Sequence, residues 1–324
     1  MAERALIDRL DETIDVIVSR GDATAALGDP ELAPLARIAA DLRHYPSPDF
    51  KASLRAQLEG RTTMTAVSTT TTTTAMREGF TTVTPYVRVR EAGLVEFLAQ
   101  VFDARETFSA SGGGGGMHRE VRIGDSMLMI GEGAPSSGGM MPIRPMAFHV
   151  FVKDADATFA RARAAGAAPL GEPADRHYGE RAGFVRDPFG NHWYIATPPG
   201  PQSLAAALRT VTPVLHLKGA AEYVEFLARA LGAVEEMRAP DPSGALRYGR
   251  VRVGDAAIEL GEGDAMPGSF MLYVAEPDAW YQRALAAGAR SIMPLSDQPY
   301  GRVGGVEDAV GNQWFFSRPL AGGR

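Results

Sequence analysis

The sequence predicts an α+β fold: two tandem modules of strand–helix–strands units behind an α-helical N-terminal segment. Three observations predict it. The stretch from Gly183 to Thr197 returns, altered, from Gly305 to Ser317. In both copies an apolar run enters an Asp-x-x-Gly-Asn turn and leaves through an aromatic strand, which is a hairpin signal. Other segments recur at a similar offset. Val83–Val89 is answered by Val211–Leu217, Val121-Arg-Ile-Gly-Asp125 by Val251-Arg-Val-Gly-Asp255, and Arg161–Ala167 by Arg283–Ala289. Such recurrence marks a duplicated unit. Finally, the apolar period is helical before a Thr-rich stretch and strand-like after Phe80.

Residues 1–60 read as helices. Leu6, Leu10, Ile14 and Ile17 share a helical stripe; Asp29-Pro30-Glu31 is a start signal for a second stripe (Leu32, Leu35, Ala36, Ala39, Leu42). Pro46 and Pro48 end that helix, and Phe50, Leu54 and Leu58 begin a third. Residues 61–78, with six consecutive threonines from Thr69 to Thr74, have no period and are expected to be a flexible linker.

The first module is assigned to residues 79–200. It opens with a strand over Val83–Val89, a helix carrying Leu94, Phe97, Leu98 and Val101, and strands over Met117–Ile123 and Ser126–Ile130 around a Gly124-Asp125 turn. A second unit follows, with a strand at Phe148–Val152, a helix from Asp156 to Ala165 stopped by Gly166, and the Gly183–Thr197 hairpin. Pro198-Pro-Gly-Pro201 marks the boundary, and residues 201–324 form the second module. The glycine run Gly112–Gly116 lacks the Lys-Ser/Thr of a phosphate loop and reads as a hairpin tip.

Bulk composition narrows the function classes. A chain of 324 residues, 45% hydrophobic and 22% charged, is that of a globular protein with ample length for a core. A net charge of −6 argues against a nucleic-acid partner, which would select a basic face. The absence of cysteine removes disulfides, thiolate metal sites and cysteine nucleophiles, and fits a reducing compartment. No apolar run is long enough for a bilayer, so no membrane partner is expected and a cytoplasmic location is the default.

Thr82–Val89, Met117–Met129 and Tyr178-Gly-Glu-Arg181 followed by Asp187-Pro-Phe-Gly-Asn191 resemble the vicinal oxygen chelate (glyoxalase/bleomycin resistance/dioxygenase) superfamily, most closely its PhnB-like branch. The resemblance covers residues 80–318 and implies paired βαβββ modules whose curled, mixed sheets form clefts. It also implies an intramolecular pseudo-dimer of the two modules.

Metal-using members of that superfamily take His, Gln and Glu ligands from four strand positions. Carried over, these fall on Thr84, Met129, Ala147 and Tyr194 in the first module, and on Thr212, Glu259, Ser269 and Phe315 in the second. Only Glu259 is a competent ligand, because a divalent ion needs imidazole or carboxylate donors. No cofactor is therefore expected at the usual positions. Strand parity offers a relocated set. If the modules exchange halves, as in some dimers of the superfamily, one cleft combines Thr212, His216, Tyr248 and Glu259 with His149 and Tyr194. His149, His216 and Glu259 would then make a site for Zn, Ni, Fe or Mn.

Further ligand-binding candidates are Arg88, for an anionic group, and His118 with its counterpart Tyr248 in the second module, each a catalytic candidate that could orient a ligand or transfer a proton. Tyr178 and Arg181, and Tyr300 and Arg302 in the shorter second copy, sit in loops that could close over a cleft. His177 and His192 have no ligand spacing. The function expected is small-molecule binding of the glyoxalase/bleomycin-resistance type with most metal positions lost. Two alternatives stand beside it. One is a metal-dependent lyase, isomerase or dioxygenase using relocated ligands. The other is a metabolite-sensing regulatory protein whose N-terminal helices bind a protein partner.

Overall fold

A computed structural model describes residues 79–111, 116–133, 143–200 and 208–319. The expected N-terminal helices, the Thr-rich linker and most of the glycine run lie outside the described residues. Among those described, strands dominate. In chain order they form four units: β1 (Val83–Val89), α1 (Leu94–Phe102), β2 (Arg105–Ser111), β3 (Met117–Ile123) and β4 (Ser126–Glu132); β5 (Ala147–Phe151), α2 (Ala155–Ala164), β6 (Ala168–Asp175), β7 (Arg181–Arg186) and β8 (His192–Thr197); β9 (Val211–Leu217), α3 (Ala220–Leu231), β10 (Val234–Pro240), β11 (Leu246–Val253) and β12 (Ala256–Glu262); β13 (Ser269–Tyr273), α4 (Pro277–Ala286), β14 (Arg290–Gln298), β15 (Gly301–Glu307) and β16 (Gln313–Pro319).

Each unit has the same wiring: its first strand is parallel to its last, and the remaining contacts are antiparallel. The units join edge to edge into two eight-stranded mixed sheets. The first has the order β14-β15-β16-β13-β1-β4-β3-β2 and the second β10-β11-β12-β9-β5-β8-β7-β6. Each sheet therefore takes one unit from either side of the 200/201 boundary, and the modules exchange halves. The seams are antiparallel: Thr84 opposes Met271 in one, His149 opposes Thr212 in the other.

The helices form because each offers one apolar stripe to a sheet. Leu94, Phe97, Leu98 and Val101 are buried on α1, and Tyr223, Val224, Leu227 and Leu231 on α3. Glycine at position 232, with φ 65°, ends α3 in the left-handed turn that L side chains avoid. Helix pairs tie the two sheets together. Arg161 on α2 donates to the carbonyl of Val101 on α1 (2.8 Å), and Arg283 on α4 to that of Ala230 on α3 (2.9 Å). The Gly-Asp turns add a second tie. Asp255 accepts from the Thr82 backbone N–H at 2.7 Å, and Asp125 from that of Thr210 at 2.7 Å.

In the repeated hairpin the aspartate is a hub. Asp187 accepts from the backbone of Phe189 and Asn191, from the Asn191 amide and from the Trp193 indole. Asp308 repeats this pattern with Val310, Asn312 and Trp314, and also takes the hydroxyl of Tyr223. The turns close at Gly190 (φ 93°) and Gly311 (φ 94°), which only glycine adopts without strain.

Candidate functional site

Strand alternation sends one face of each sheet to the helices and the other to a cleft. On the second sheet Phe148 and Val150 are fully buried on the helix side, while His149 and Phe151 face the cleft and are half-buried. Thr212, Val214 and His216 from β9, Tyr248 from β11, Glu259 from β12, and Phe184 and Tyr194 from β7 and β8 share that face.

Three of these side chains converge. Glu259, 3% exposed, accepts a hydrogen bond from the Tyr248 hydroxyl on one oxygen (2.8 Å) and meets Nδ1 of His149 with the other (3.0 Å). On the far edge of the ring, Nε2 of His149 lies 3.5 Å from Oε2 of Glu180. Burial works against a charged imidazole, yet the Glu259 carboxylate, seconded by Glu180, outweighs it and lifts the His149 pKa to about 9. His149 is thus an imidazolium held between two carboxylates. The Tyr248 phenol is driven far up, first by burial and then by Glu259, and stays protonated.

Tyr194 and His216 form a separate pair, hydroxyl to Nε2, at 2.7 Å. Burial raises the phenol and lowers the imidazole, so the pair is neutral at neutral pH. The expected metal set of His149, His216 and Glu259 is not assembled. In the antiparallel seam His149 stands opposite Thr212, so His216 is displaced by four residues, roughly 13 Å along the strand. The two carboxylates at His149 lie against opposite ring edges and do not converge with it on one point. Among the described residues no group of three or more His, Asp or Glu side chains is placed to hold a metal ion.

The first sheet has a different cleft. By register Met129 occupies the place of Glu259, and Phe315 that of Tyr194. Phe80, Met127 and Met129 pack there with Tyr86, Met271 and Tyr273, and Met293, Val303 and Phe315 with Tyr86, Met271 and Ile292. Apolar side chains and tyrosines dominate this cleft. His118 lies on its edge, bonded to the Tyr86 hydroxyl (2.9 Å) and 3.4 Å from the buried carboxylate of Glu120. Arg88 lies along β4, where a side chain at Gly131 would collide with it. His118 and Tyr248, counterparts in the repeat, accordingly stand in different clefts.

Two loop candidates face away from the clefts. Arg181, the first residue of β7, and Arg302, the second of β15, have helix-side parity, and each grips an aspartate at the start of a helix, Asp156 on α2 and Asp278 on α4. Tyr178 and Tyr300 are about half exposed, at 50% and 57%. The charges of Glu180 and Glu259 reach Tyr178, which places it at the rim of the polar cleft. Glu180 is the cleft residue that the sequence reading passed over. Its signal was the single-residue difference between Tyr178-Gly-Glu-Arg181 and Tyr300-Gly-Arg302.

A cavity of about 320 Å³ opens elsewhere, where the Gly-Asp turns meet the starts of β1 and β9. Asp125 and Asp255 line it but are already engaged by Thr210 and Thr82. It is a seam between the sheets.

Residues 92–195 match the family model described as "Glyoxalase/Bleomycin resistance protein/Dioxygenase superfamily". Uncharacterized proteins of Mycobacterium bovis and Mycobacterium tuberculosis are 35% identical over 115 residues; the match takes in 33% of this chain and 76% and 68% of theirs. Among solved structures, glyoxalase I from Zea mays superposes with a TM-score of 0.55 at 12% identity, over 72% of this chain and 92% of that one. At that identity the likeness is one of fold.

Proposed function

We propose, for a chain that belongs to the Glyoxalase/Bleomycin resistance protein/Dioxygenase superfamily, that it binds a small molecule in the cleft of its second sheet. We read it as a PhnB-like, tandem member that has given up the usual metal positions. One observation carries this reading: Glu259, the sole competent ligand among those positions, is engaged by both Tyr248 and His149. A carboxylate holding two donors in a buried network is a rigid anchor for a ligand. The more apolar lining of the first cleft supports assigning the function to the second.

A fragment screen monitored through the imidazole NMR signals of His149 tests this. Fragments are expected to shift those signals and to lose affinity at least about tenfold in Tyr248→Phe. Arg181→Ala, which alters the opposite face, is expected to leave binding intact. The reading falls if no fragment perturbs His149, or if protein purified without chelator carries a stoichiometric transition metal that Glu259→Gln removes.

A further inference from the structure

We infer that the ligand of the second cleft carries a protonated amine on an aromatic body, with the ammonium seated against Glu180. The inference rests on the binding reading above and names the ligand's chemistry. Glu180 is 8% exposed, and its Oε2 is buried without a hydrogen-bond partner. Its contact with His149, at 3.5 Å, has ion-pair distance but lacks hydrogen-bond geometry. A buried carboxylate oxygen left in that state is costly, and a donor from outside would relieve it.

The surrounding charges say which donor. One imidazolium serves two carboxylates, and its better contact goes to Glu259. Among the described residues no guanidinium forms an ion pair with Glu180, although the Nε of Arg176 is itself buried without a hydrogen-bond partner. Arg176 lies over the Phe184 ring, 4.6 Å from its centroid, and donates to the Ala182 carbonyl. Arg250 pairs with Glu236 at 3.0 Å. Arg247 is exposed. The charged partner of Glu180 among the described residues is thus an imidazolium shared with Glu259, and an ammonium would bring its unbonded oxygen a charge-assisted donor, stronger than a hydroxyl or amide N–H. The aromatic body follows from the walls, where Phe184 and Tyr194 meet edge to face with centroids 4.9 Å apart and Phe151 lies 4.2 Å from the His149 ring.

The glycine-hinged second copy gives an internal contrast. In Tyr300-Gly-Arg302 the register puts Gly301, which has no side chain, at the place of Glu180. The carboxylate present in one copy alone thus stands in the second cleft.

Benzylamine and benzyl alcohol, titrated into the full chain and followed at the His149 imidazole signals, separate the outcomes. Benzylamine is expected to bind roughly tenfold more tightly than benzyl alcohol, and Glu180→Gln to bring the amine down to the alcohol. Equal affinities in the native protein, or an amine preference that survives in Glu180→Gln, would overturn the inference while leaving the binding reading standing. If neither compound moves the His149 signals, the inference falls. The binding reading falls with it only when the wider fragment set also leaves them unmoved.

Discussion

Glu259→Gln is expected to destabilise the folded chain by about 3 kcal/mol at pH 6.5, read from urea denaturation. The side chain is 3% exposed, and its loss of charge leaves the imidazolium of His149 with Glu180 alone. The amide can still accept from Tyr248, so the effect isolates the ionic contact from the phenol bond. It also carries a pH signature. The folded-state pKa of His149, about 9, lies above its ordinary 6.5. A raised histidine contributes stability that is fully present below the unfolded value and is lost as pH rises through the folded one. The gap between native protein and variant should be widest at or below pH 6.5 and shrink as pH climbs toward 9. A gap that is flat or grows over that window would mean that His149 is not charged in the folded protein.

Asp308→Ala should cost more, above about 4 kcal/mol, because several buried donors lose one acceptor together. These are the backbone of Val310 and Asn312, the Trp314 indole, the Asn312 amide and the Tyr223 hydroxyl. Asp187→Ala removes the same hub without a tyrosine and should cost less. Tyr223 comes from α3, so the Asp308 hub also anchors a helix of one sheet to a hairpin of the other. Denaturation midpoints of the two variants compare them directly. Equal midpoints would show that the Tyr223 bond adds nothing.

That hub shows how much of the molecule could be read from the sequence. The Asp-x-x-Gly-Asn turns announce themselves because the φ of Gly190 and Gly311 and the side-chain bonds of Asp187 and Asp308 are local. Parity likewise placed His149 and Glu259 on one face. Parity could not measure distance along the seam, and so it put His216 with His149 when the antiparallel register holds them apart. Arg181 shows the same limit. Its position before the hairpin suggested a cleft lid, but one residue of phase turns it to Asp156, and Glu180 takes the cleft. The exchange of halves was legible only as a condition. All four units present similar first strands, so nothing local tells β1 to choose β13 over β5.

That exchange nests one sheet inside the other along the chain. The second sheet, with the polar cleft, is complete between residues 147 and 262, whereas the first waits for strands that arrive between 269 and 319. Closing the outer sheet spans nearly the whole described chain, and long closures are slow. Pulse-labelling hydrogen exchange during refolding should find the amides of β5 and β9 protected before those of β1 and β13. The half that carries His149 and Glu259 would then be in place, on the ribosome as in the test tube, before the strands that frame it have found each other.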